Sequence, residues 1–196
     1  FTLPLQLNSD YQLRVHSPFG NMRAALRFVI KSFAHHAPAD VLLVIKQHPL
    51  DSGLVAWGRL IRRLAKDYGV ADRIHYLSDW DIAAVVKNAI GVVTVNSTVG
   101  TLALNSGKPV LVLGHAVYKI PGIVSVKGLD AFWTNPSPPD MALYSAFRQV
   151  LADRCLIRGG LLSDEGLQML VENAADRLAP VGRGTRRHLK LVTPQV

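Results

Sequence analysis

The segment Val92–Gly114, VVTVNSTVGTLALNSGKPVLVLG, constrains the fold of this chain more than any other part of it. Its two short apolar, β-branched runs predict buried strands, and the stretch between them predicts a helix that ends before Gly107. Strand–helix–strand units join parallel strands through right-handed crossovers. The first strand ends at Asn96, Ser97 and Thr98. We therefore predict a parallel sheet with a group of polar side chains at one edge.

The same alternation of strands and helices continues along the chain. Helical spacing of apolar residues predicts helices at Asn21–His36, Leu54–Tyr68, Trp80–Ala89, Thr98–Asn105, Asp140–Leu151 and Asp164–Leu178. Apolar runs predict strands at Val41–Ile45, Ile74–Leu77, Gly91–Val95 and Pro109–Leu113, with a short one near Ile123–Val126. Phe1–His16 is expected to be irregular or extended, and Ser78 or Asp79 to cap the helix at Trp80. The pattern predicts an α/β fold, a Rossmann-like parallel sheet with helices on both faces.

The length allows one domain or one and a half, and the composition is sufficient for a sizeable core. The 196 residues are 49% hydrophobic, and no apolar run reaches the roughly 18 residues of a membrane-spanning helix. No signal-peptide pattern follows Phe1, and the missing initiator Met indicates a fragment or a processed chain. The single cysteine, Cys155, excludes an internal disulfide and a cysteine zinc cluster, and we expect it to be buried in a helix.

The charge balance predicts an anionic partner. The net charge is +8 and the pI about 9.9. Val181–Val196 carries Arg183, Arg186, Arg187 and Lys190 without an acidic residue, so we expect a mobile basic tail. Such a tail is either simply solvated or attracted to anionic lipid headgroups. No nucleic-acid-binding motif is present, so nucleic acid is not an expected partner.

Two polar segments follow predicted strands and are candidates for one anion-binding cleft. Amides at a helix start, together with the hydroxyls of Ser97 and Thr98, suit a phosphate, although the glycine patterns of P-loops and dinucleotide folds are absent. Ser97 serving only as a helix cap is the alternative. After the upstream strand, Pro49 holds His48 extended, where it can donate to a phosphate or a base, and Lys46 adds a charge. An ordinary histidine remains the alternative there.

Five motifs in order resemble one known family. They are LPLQLNSDYQL at 3–13, HSPF at 16–19, KQHPLDSG at 46–53, NSTVG at 96–100 and GKPVLVLG at 107–114. The set resembles the capsule polysaccharide biosynthesis and export family, the bacterial β-Kdo glycosyltransferases, over residues 3–120. That family has two Rossmann-type domains of the GT-B type, with the active site between them. The resemblance implies a cytoplasmic enzyme, peripheral at the inner membrane, that uses CMP-Kdo as donor.

The resemblance also assigns residues. His48 and Pro49 are implied to contact the phosphate or ribose of CMP, and the turn that contains Asn96, Ser97 and Thr98 to lie near its phosphate. Together with Lys46 these residues form the predicted nucleotide site. No cofactor and no obligatory metal are expected, because Lys46, His48 and helix amides can stabilise the departing CMP.

Gln6 and Asp10 match the Gln-x-x-x-Asp motif of the family, which implies that Asp10 is the catalytic carboxylate. The family is retaining, so Asp10 is the candidate nucleophile of a glycosyl-enzyme intermediate. A surface turn carboxylate is the ordinary alternative for this residue. In related transferases the motif continues to a Glu, and Ser17 stands at that position here. The acid/base partner is therefore not assigned.

A chain of this length supplies one of the two domains. We expect an interdomain and active-site segment at 1–20, a CMP-sugar-binding domain at 21–180 and a basic tail at 181–196. The implied partners are the nucleotide-sugar donor, a lipid-linked glycan acceptor and, through the tail, an anionic membrane surface.

Two other functions are compatible with the same fold. One is a non-catalytic component of capsule export that keeps the Rossmann-like domain. The other is a GT-B enzyme that uses a different nucleotide sugar, such as a UDP-sugar. Such enzymes usually carry a ribose-binding Glu in the helix after the phosphate turn, whereas Ser97–Pro109 contains no acidic residue.

Overall fold

A computed structural model describes residues 1–178, and five parallel strands form one sheet within them. The strands are β1 Thr2–Pro4, β2 Leu43–Lys46, β3 Ile74–Leu77, β4 Val92–Thr94 and β5 Val110–Val112. The helices are α1 Tyr11–Val15, α2 Met22–His36, α3 Trp57–Asp67, α4 Ile82–Lys87, α5 Val99–Asn105, α6 Leu129–Phe132, α7 Met141–Cys155 and α8 Asp164–Leu178. The predicted Rossmann-like α/β fold is confirmed.

The strand order is β3-β2-β1-β4-β5. The chain builds outward from β1 to β3 and then returns to the other side of β1 to add β4 and β5. Neighbouring strands whose following segments leave in opposite directions create a crevice at their carboxyl ends. This crevice lies between β1 and β4.

The central strand is the main departure from the expected structure. Phe1–His16 was expected to be irregular or extended. Thr2–Pro4 is extended but forms an unpredicted strand, paired with β2 on one side and with β4 on the other, and Tyr11–Val15 is helical. The Thr2 hydroxyl donates to the Val44 carbonyl at 3.0 Å, and Leu5 N–H donates to the Lys46 carbonyl at 2.8 Å. Residues 1–20 therefore contribute the middle of the sheet and the short helix α1. Three residues that end in proline are too few to show the apolar pattern by which a strand is recognised in sequence.

Each face of the sheet packs its own hydrophobic cluster. The α2–α3 face buries side chains of β1, β2 and α2, among them Leu3, Ile45 and Phe33. The α4–α5 face buries Val92 and Val112 together with residues of the two helices. Strands covered on both faces need continuous apolar sequence, which is the pattern that identified them.

Several local predictions need correction. Asp81 caps α4, accepting from the amides of Ala83 and Ala84 at 3.1 Å each, so neither Ser78 nor Asp79 is the cap. Near Ile123–Val126 the structure has a single bridge between Pro121 and Val124 in place of a strand.

The chain divides into two compact units, Phe1–Phe147 and Arg148–Val196. Within the described part of the second unit, α8 buries no side chain, and Arg177 donates to the Leu156 carbonyl at 2.6 Å. Cys155 is exposed, so the expectation of a buried thiol was wrong. The basic tail at 181–196 lies outside the described residues.

Candidate functional site

Most of the predicted site residues lie on the segments that leave β2, β1 and β4 at one edge of the sheet. Lys46 ends β2, Gln6 follows β1, and Asn96 follows β4. Strands in a sheet are about 4.8 Å apart, so the ends of β2 and β4 flank β1 at roughly 10 Å from one another. That separation suits a ligand the size of a nucleotide.

Gln6 links the end of β1 to the end of β4. Its side chain is buried, and its Oε1 accepts from the Asn96 backbone N–H at 2.8 Å. Its Nε2 donates to Asp10 Oδ2 at 3.3 Å. The structure therefore brings Gln6, Asp10 and Asn96 together at the crevice, although Gln6 and Asn96 are 90 residues apart in sequence.

Asp10 is also the N-cap of α1. Its Oδ1 accepts from the Gln12 N–H at 2.9 Å, and its side chain is half-buried. A carboxylate held by one contact on each oxygen keeps further lone pairs for a ligand. The geometry gives Asp10 a fixed orientation beside the crevice, which a mobile surface carboxylate would not have.

Asn96 makes internal contacts with the chain that follows Asp10. Its Nδ2 donates to the carbonyls of Gln12 and His16, both at 2.8 Å. Its Oδ1 is buried, lacks a hydrogen-bond partner among the described residues, and lies where a side chain at position 114 would have to stand. Gly114 is therefore required by close packing. The predicted contact of Asn96 with a nucleotide stays a prediction, since its amide nitrogen is already engaged.

The hydroxyls of Ser97 and Thr98 are in different situations. Ser97 Oγ accepts from the Val99 N–H at 3.2 Å in the turn before α5, whereas the N-cap of α5 is Thr98, which makes no side-chain cap hydrogen bond. Thr98 is exposed at the start of α5. The Ser97 carbonyl accepts from the Tyr118 hydroxyl, and the Tyr118 ring fills the space beside Gly100. Burial and the neighbouring Tyr144 raise the pKa of Tyr118, so this phenol stays a donor.

Lys46 is a buried ammonium with carbonyl partners. It is 5% exposed, and its Nζ donates to the backbone carbonyls of Gln47 at 2.8 Å and Ser78 at 3.1 Å. Within residues 1–178 it forms no salt bridge. A buried cation without a carboxylate partner leaves positive potential at this edge of the sheet, which favours an anion.

His48 has a defined proton position. Its Nδ1 accepts from the Leu50 N–H at 3.1 Å, so the neutral ring carries its proton on Nε2. Pro49 is exposed and fixes the extended approach of His48. The arrangement leaves Nε2–H as a donor for a ligand.

Sequence patterns missed the residues that hold this loop. Trp57 is buried, and its Nε1 donates to Asp51 Oδ2 at 2.8 Å, while Gly53 N–H donates to Oδ1 at 2.9 Å. Burial raises the pKa of Asp51, but these hydrogen bonds outweigh burial and hold that pKa below its usual range. A Trp at the start of a helix, six residues after an Asp, was the available signal. It resembles ordinary core packing.

Nearby, the Tyr76 hydroxyl donates to Gln47 Oε1. Burial, assisted by the charge of Asp51, raises the pKa of Tyr76, so its proton stays on the hydroxyl. Ser17, at the family's Glu position, donates to the Leu13 carbonyl at 2.5 Å and accepts from the Phe19 N–H at 3.3 Å.

Hydrogen bonds hold the loop after β5, among them one within the loop and one to the residue that follows α1. Lys119 Nζ donates to the Gly114 carbonyl at 2.8 Å, and the His115 N–H donates to the His16 carbonyl at 3.0 Å.

No group of three metal-ligating side chains occurs among residues 1–178. In the same range no helix is long and apolar enough to cross a membrane.

Fold and site together define a doubly wound α/β domain with a polar crevice at its switch point. The chain belongs to the family described as capsule polysaccharide biosynthesis protein, whose model matches residues 1–161. This confirms the resemblance seen in the motifs.

Two curated relatives illustrate that membership. The chain is 40% identical over 164 residues to the capsule polysaccharide modification protein LipB of Neisseria meningitidis, covering 83% of this chain and 39% of the relative. It is 41% identical over 147 residues to the capsule polysaccharide export protein KpsS of Escherichia coli, covering 75% of this chain and 38% of the relative. The chain thus spans about two fifths of the length of these relatives.

A solved structure with partial likeness is that of Thermosulfurimonas dismutans KpsC, described as a β-Kdo 2,7 transferase. The TM-score is 0.47 at 24% identity, over 63% of this chain and 36% of that one. At this score the likeness bears on neither ligand nor chemistry.

Proposed function

We propose that this chain forms the donor-binding part of a retaining glycosyltransferase that moves Kdo from CMP-Kdo during synthesis of the capsule lipid linker. The observation that carries the proposal is the hydrogen-bonded series from Asp10 through Gln6 to the Asn96 backbone. It ties the family's Gln-x-x-x-Asp motif to the Asn-Ser-Thr turn at the crevice. Family membership supports the capsule pathway.

In this proposal the end of β2 receives the nucleotide. The Nε2–H of His48 donates to the phosphate or ribose of CMP, with Pro49 fixing its approach, and Lys46 supplies a buried positive charge. On the other side of β1, the exposed Thr98 hydroxyl and the turn at Ser97 face the phosphate. These donors stabilise the charge that develops as CMP leaves, so an obligatory metal is not part of the proposal.

Asp10 carries the chemistry. Its carboxylate attacks the anomeric carbon of Kdo, while the bond from that carbon to the phosphate oxygen breaks and its electron pair leaves with CMP. An acceptor hydroxyl then attacks the same carbon, loses its proton to a base and releases Asp10. Two inversions give net retention. Since Ser17 stands where related transferases have Glu, we propose that the base comes from outside residues 1–178.

One observation favours a second candidate, a non-catalytic capsule export component. The Escherichia coli relative is named as an export protein, and the chain matches only part of it. The two candidates differ in one property, since the transferase must bind CMP and the export component need not.

The test is thermal unfolding with and without CMP, followed by a transfer assay with CMP-Kdo. CMP should raise the melting temperature of the chain, and His48→Ala should abolish that rise. If CMP leaves the melting temperature unchanged, the donor site is not here and the proposal fails. UDP serves as the matched nucleotide control, and a larger rise with UDP would favour the third candidate, a UDP-sugar enzyme.

Asp10→Asn separates chemistry from structure. Asn has one side-chain oxygen, so the variant keeps the cap hydrogen bond from the Gln12 N–H and loses the contact with Gln6. Asn caps helices about as well as Asp, and the bond from the Asn96 N–H to Gln6 remains, so the variant should fold and bind CMP. It lacks the nucleophilic carboxylate, so transfer by the longer protein that carries this domain should fall by at least a hundredfold. Full transfer by Asp10→Asn would contradict the role of Asp10 while leaving the CMP site intact.

A further inference from the structure

The helices that cover the sheet carry most of their cations on one of its faces. Helices α2 and α3 together carry seven Lys and Arg and one acidic residue, Asp67. All seven cations are exposed: Arg23, Arg27, Lys31, Arg59, Arg62, Arg63 and Lys66. On the opposite face, α4 and α5 carry one cation, Lys87. We call the exposed sides of α2 and α3 the basic face.

The two helices present their cations on the same side because they share one core. Their apolar sides, including Phe33 of α2 and Ile61 of α3, pack into the same hydrophobic cluster on the sheet. Arg23, Arg27 and Lys31 recur every four residues and form a stripe about 12 Å long on the outer side of α2. The exposed sides of both helices therefore point away from the sheet together.

These cations are not neutralised by neighbours. Within residues 1–178 the ion pair made by the basic face joins Arg63 to Asp67 at 3.8 Å, and both of those side chains are exposed. Exposed pairs of this kind contribute little. The remaining six cations make no salt bridge in the described part of the chain, so the face attracts an extended anionic partner.

Apolar side chains accompany the basic face. Leu50 and Leu54, in the loop that leads into α3, are 77% and 90% exposed, and Phe28 of α2 is 47% exposed. Leucines gain nothing from stacking on nucleic-acid bases, whereas apolar residues beside Lys and Arg are the pattern of interfacial membrane binding. The combination favours a lipid surface over a nucleic acid.

We propose that the basic face, with the Leu50–Leu54 loop, docks this domain on an anionic lipid bilayer. In a parallel α/β fold the helices run against the strands, so α2 and α3 begin at the edge that holds the candidate site. A docked bilayer would lie beside that site. The inference rests on the charge distribution and exposed apolar side chains, and it does not depend on the donor or the reaction.

The experiment is flotation of the chain with vesicles that contain about 30% phosphatidylglycerol, compared with neutral phosphatidylcholine vesicles. Each Lys or Arg near an anionic surface contributes roughly a fivefold factor in partitioning. The variant R23Q/R27Q/K31Q should therefore bind at least tenfold more weakly, and R59Q/R62Q/K66Q should behave alike. Binding should also weaken as salt shortens the Debye length.

The matched control removes three exposed cations elsewhere, K87Q/K127Q/R158Q, and should reduce binding less than threefold. The tail variant R183Q/R186Q/R187Q/K190Q distinguishes the basic face from the basic tail. The proposal is overturned if the tail variant alone loses binding. It is also overturned if the control variant loses as much binding as the two variants of the basic face.

Leu54→Gln tests the apolar part of the surface. It keeps the charge and should weaken vesicle binding severalfold at fixed salt. Unchanged binding by this variant, together with tighter binding of the wild type to an oligonucleotide than to vesicles, would replace the bilayer with a nucleic acid. Circular dichroism of every variant checks that the fold is retained.

Discussion

The two ends of the candidate site are held in different ways. At the end of β4, Asn96 and Gln6 are buried, and hydrogen bonds of each side chain reach backbone groups 80 or more residues away. At the end of β2, His48 lies on a partly exposed loop whose hydrogen bonds are mostly local, apart from the one between Asp51 and the buried Trp57. The comparison suggests that one side is a rigid frame and the other is an adjustable contact for the ligand.

The largest expected effect is on the rigid side. Asn96→Ala removes the two hydrogen bonds from Nδ2 to the carbonyls of Gln12 and His16. Each carbonyl keeps a backbone partner, the His16 N–H for Gln12 and the His115 N–H for His16. The free energy of unfolding should fall by about 2 kcal/mol, because two hydrogen bonds of about 1 kcal/mol each are lost. Chemical denaturation would measure the loss. A decrease of less than about 1 kcal/mol would show that the frame is not rigid.

A smaller effect is expected at the loop anchor. Trp57→Phe keeps an aromatic ring in the core but removes the N–H that donates to Asp51. A hydrogen bond to a charged group contributes about 1.5–3 kcal/mol, and we expect a loss near the lower end because the loop can relax. CMP affinity should weaken together with stability if this contact positions His48. Stability loss with unchanged CMP affinity would show that the anchor serves the core alone.

The pH dependence of stability should report the same anchor. Hydrogen bonding lowers the folded-state pKa of Asp51, so its contribution is present above the unfolded pKa of about 3.9. The contribution is lost as the pH falls through the lower folded-state value. Asp51→Asn should therefore flatten the stability profile below about pH 4. If the stability of Asp51→Asn falls below about pH 4 as steeply as that of the wild type, Asp51 does not cause this pH dependence.

The smallest effect on stability is expected at Thr98. Thr98→Val is nearly isosteric at an exposed position, so the free energy of unfolding should change by less than about 0.5 kcal/mol. CMP binding should nevertheless weaken if the hydroxyl contacts the phosphate. Isothermal titration of this variant against CMP separates the two effects, and equal affinity would restrict the phosphate site to the turn backbone and Ser97.

Much of this site was visible in sequence because its residues follow strands that a strong apolar pattern identifies. Lys46, His48, Asn96 and Ser97 come directly after such runs. Gln6 and Asp10 were found through the family resemblance, since β1 is too short to be recognised by its period. Trp57 and Asp51 were missed because a buried Trp on an amphipathic helix looks the same whether or not its N–H has a partner.

The sequence by itself determined the alternation of strands and helices, the parallel sheet and the family, because local apolar spacing and ordered motifs are sufficient for these. The tertiary structure decided that Thr2–Pro4 is the central strand and that Gln6 meets Asn96 across 90 residues. It also decided that the cations of α2 and α3 share one surface. Each of these facts depends on which elements lie side by side, and that is set by long-range packing in the folded chain.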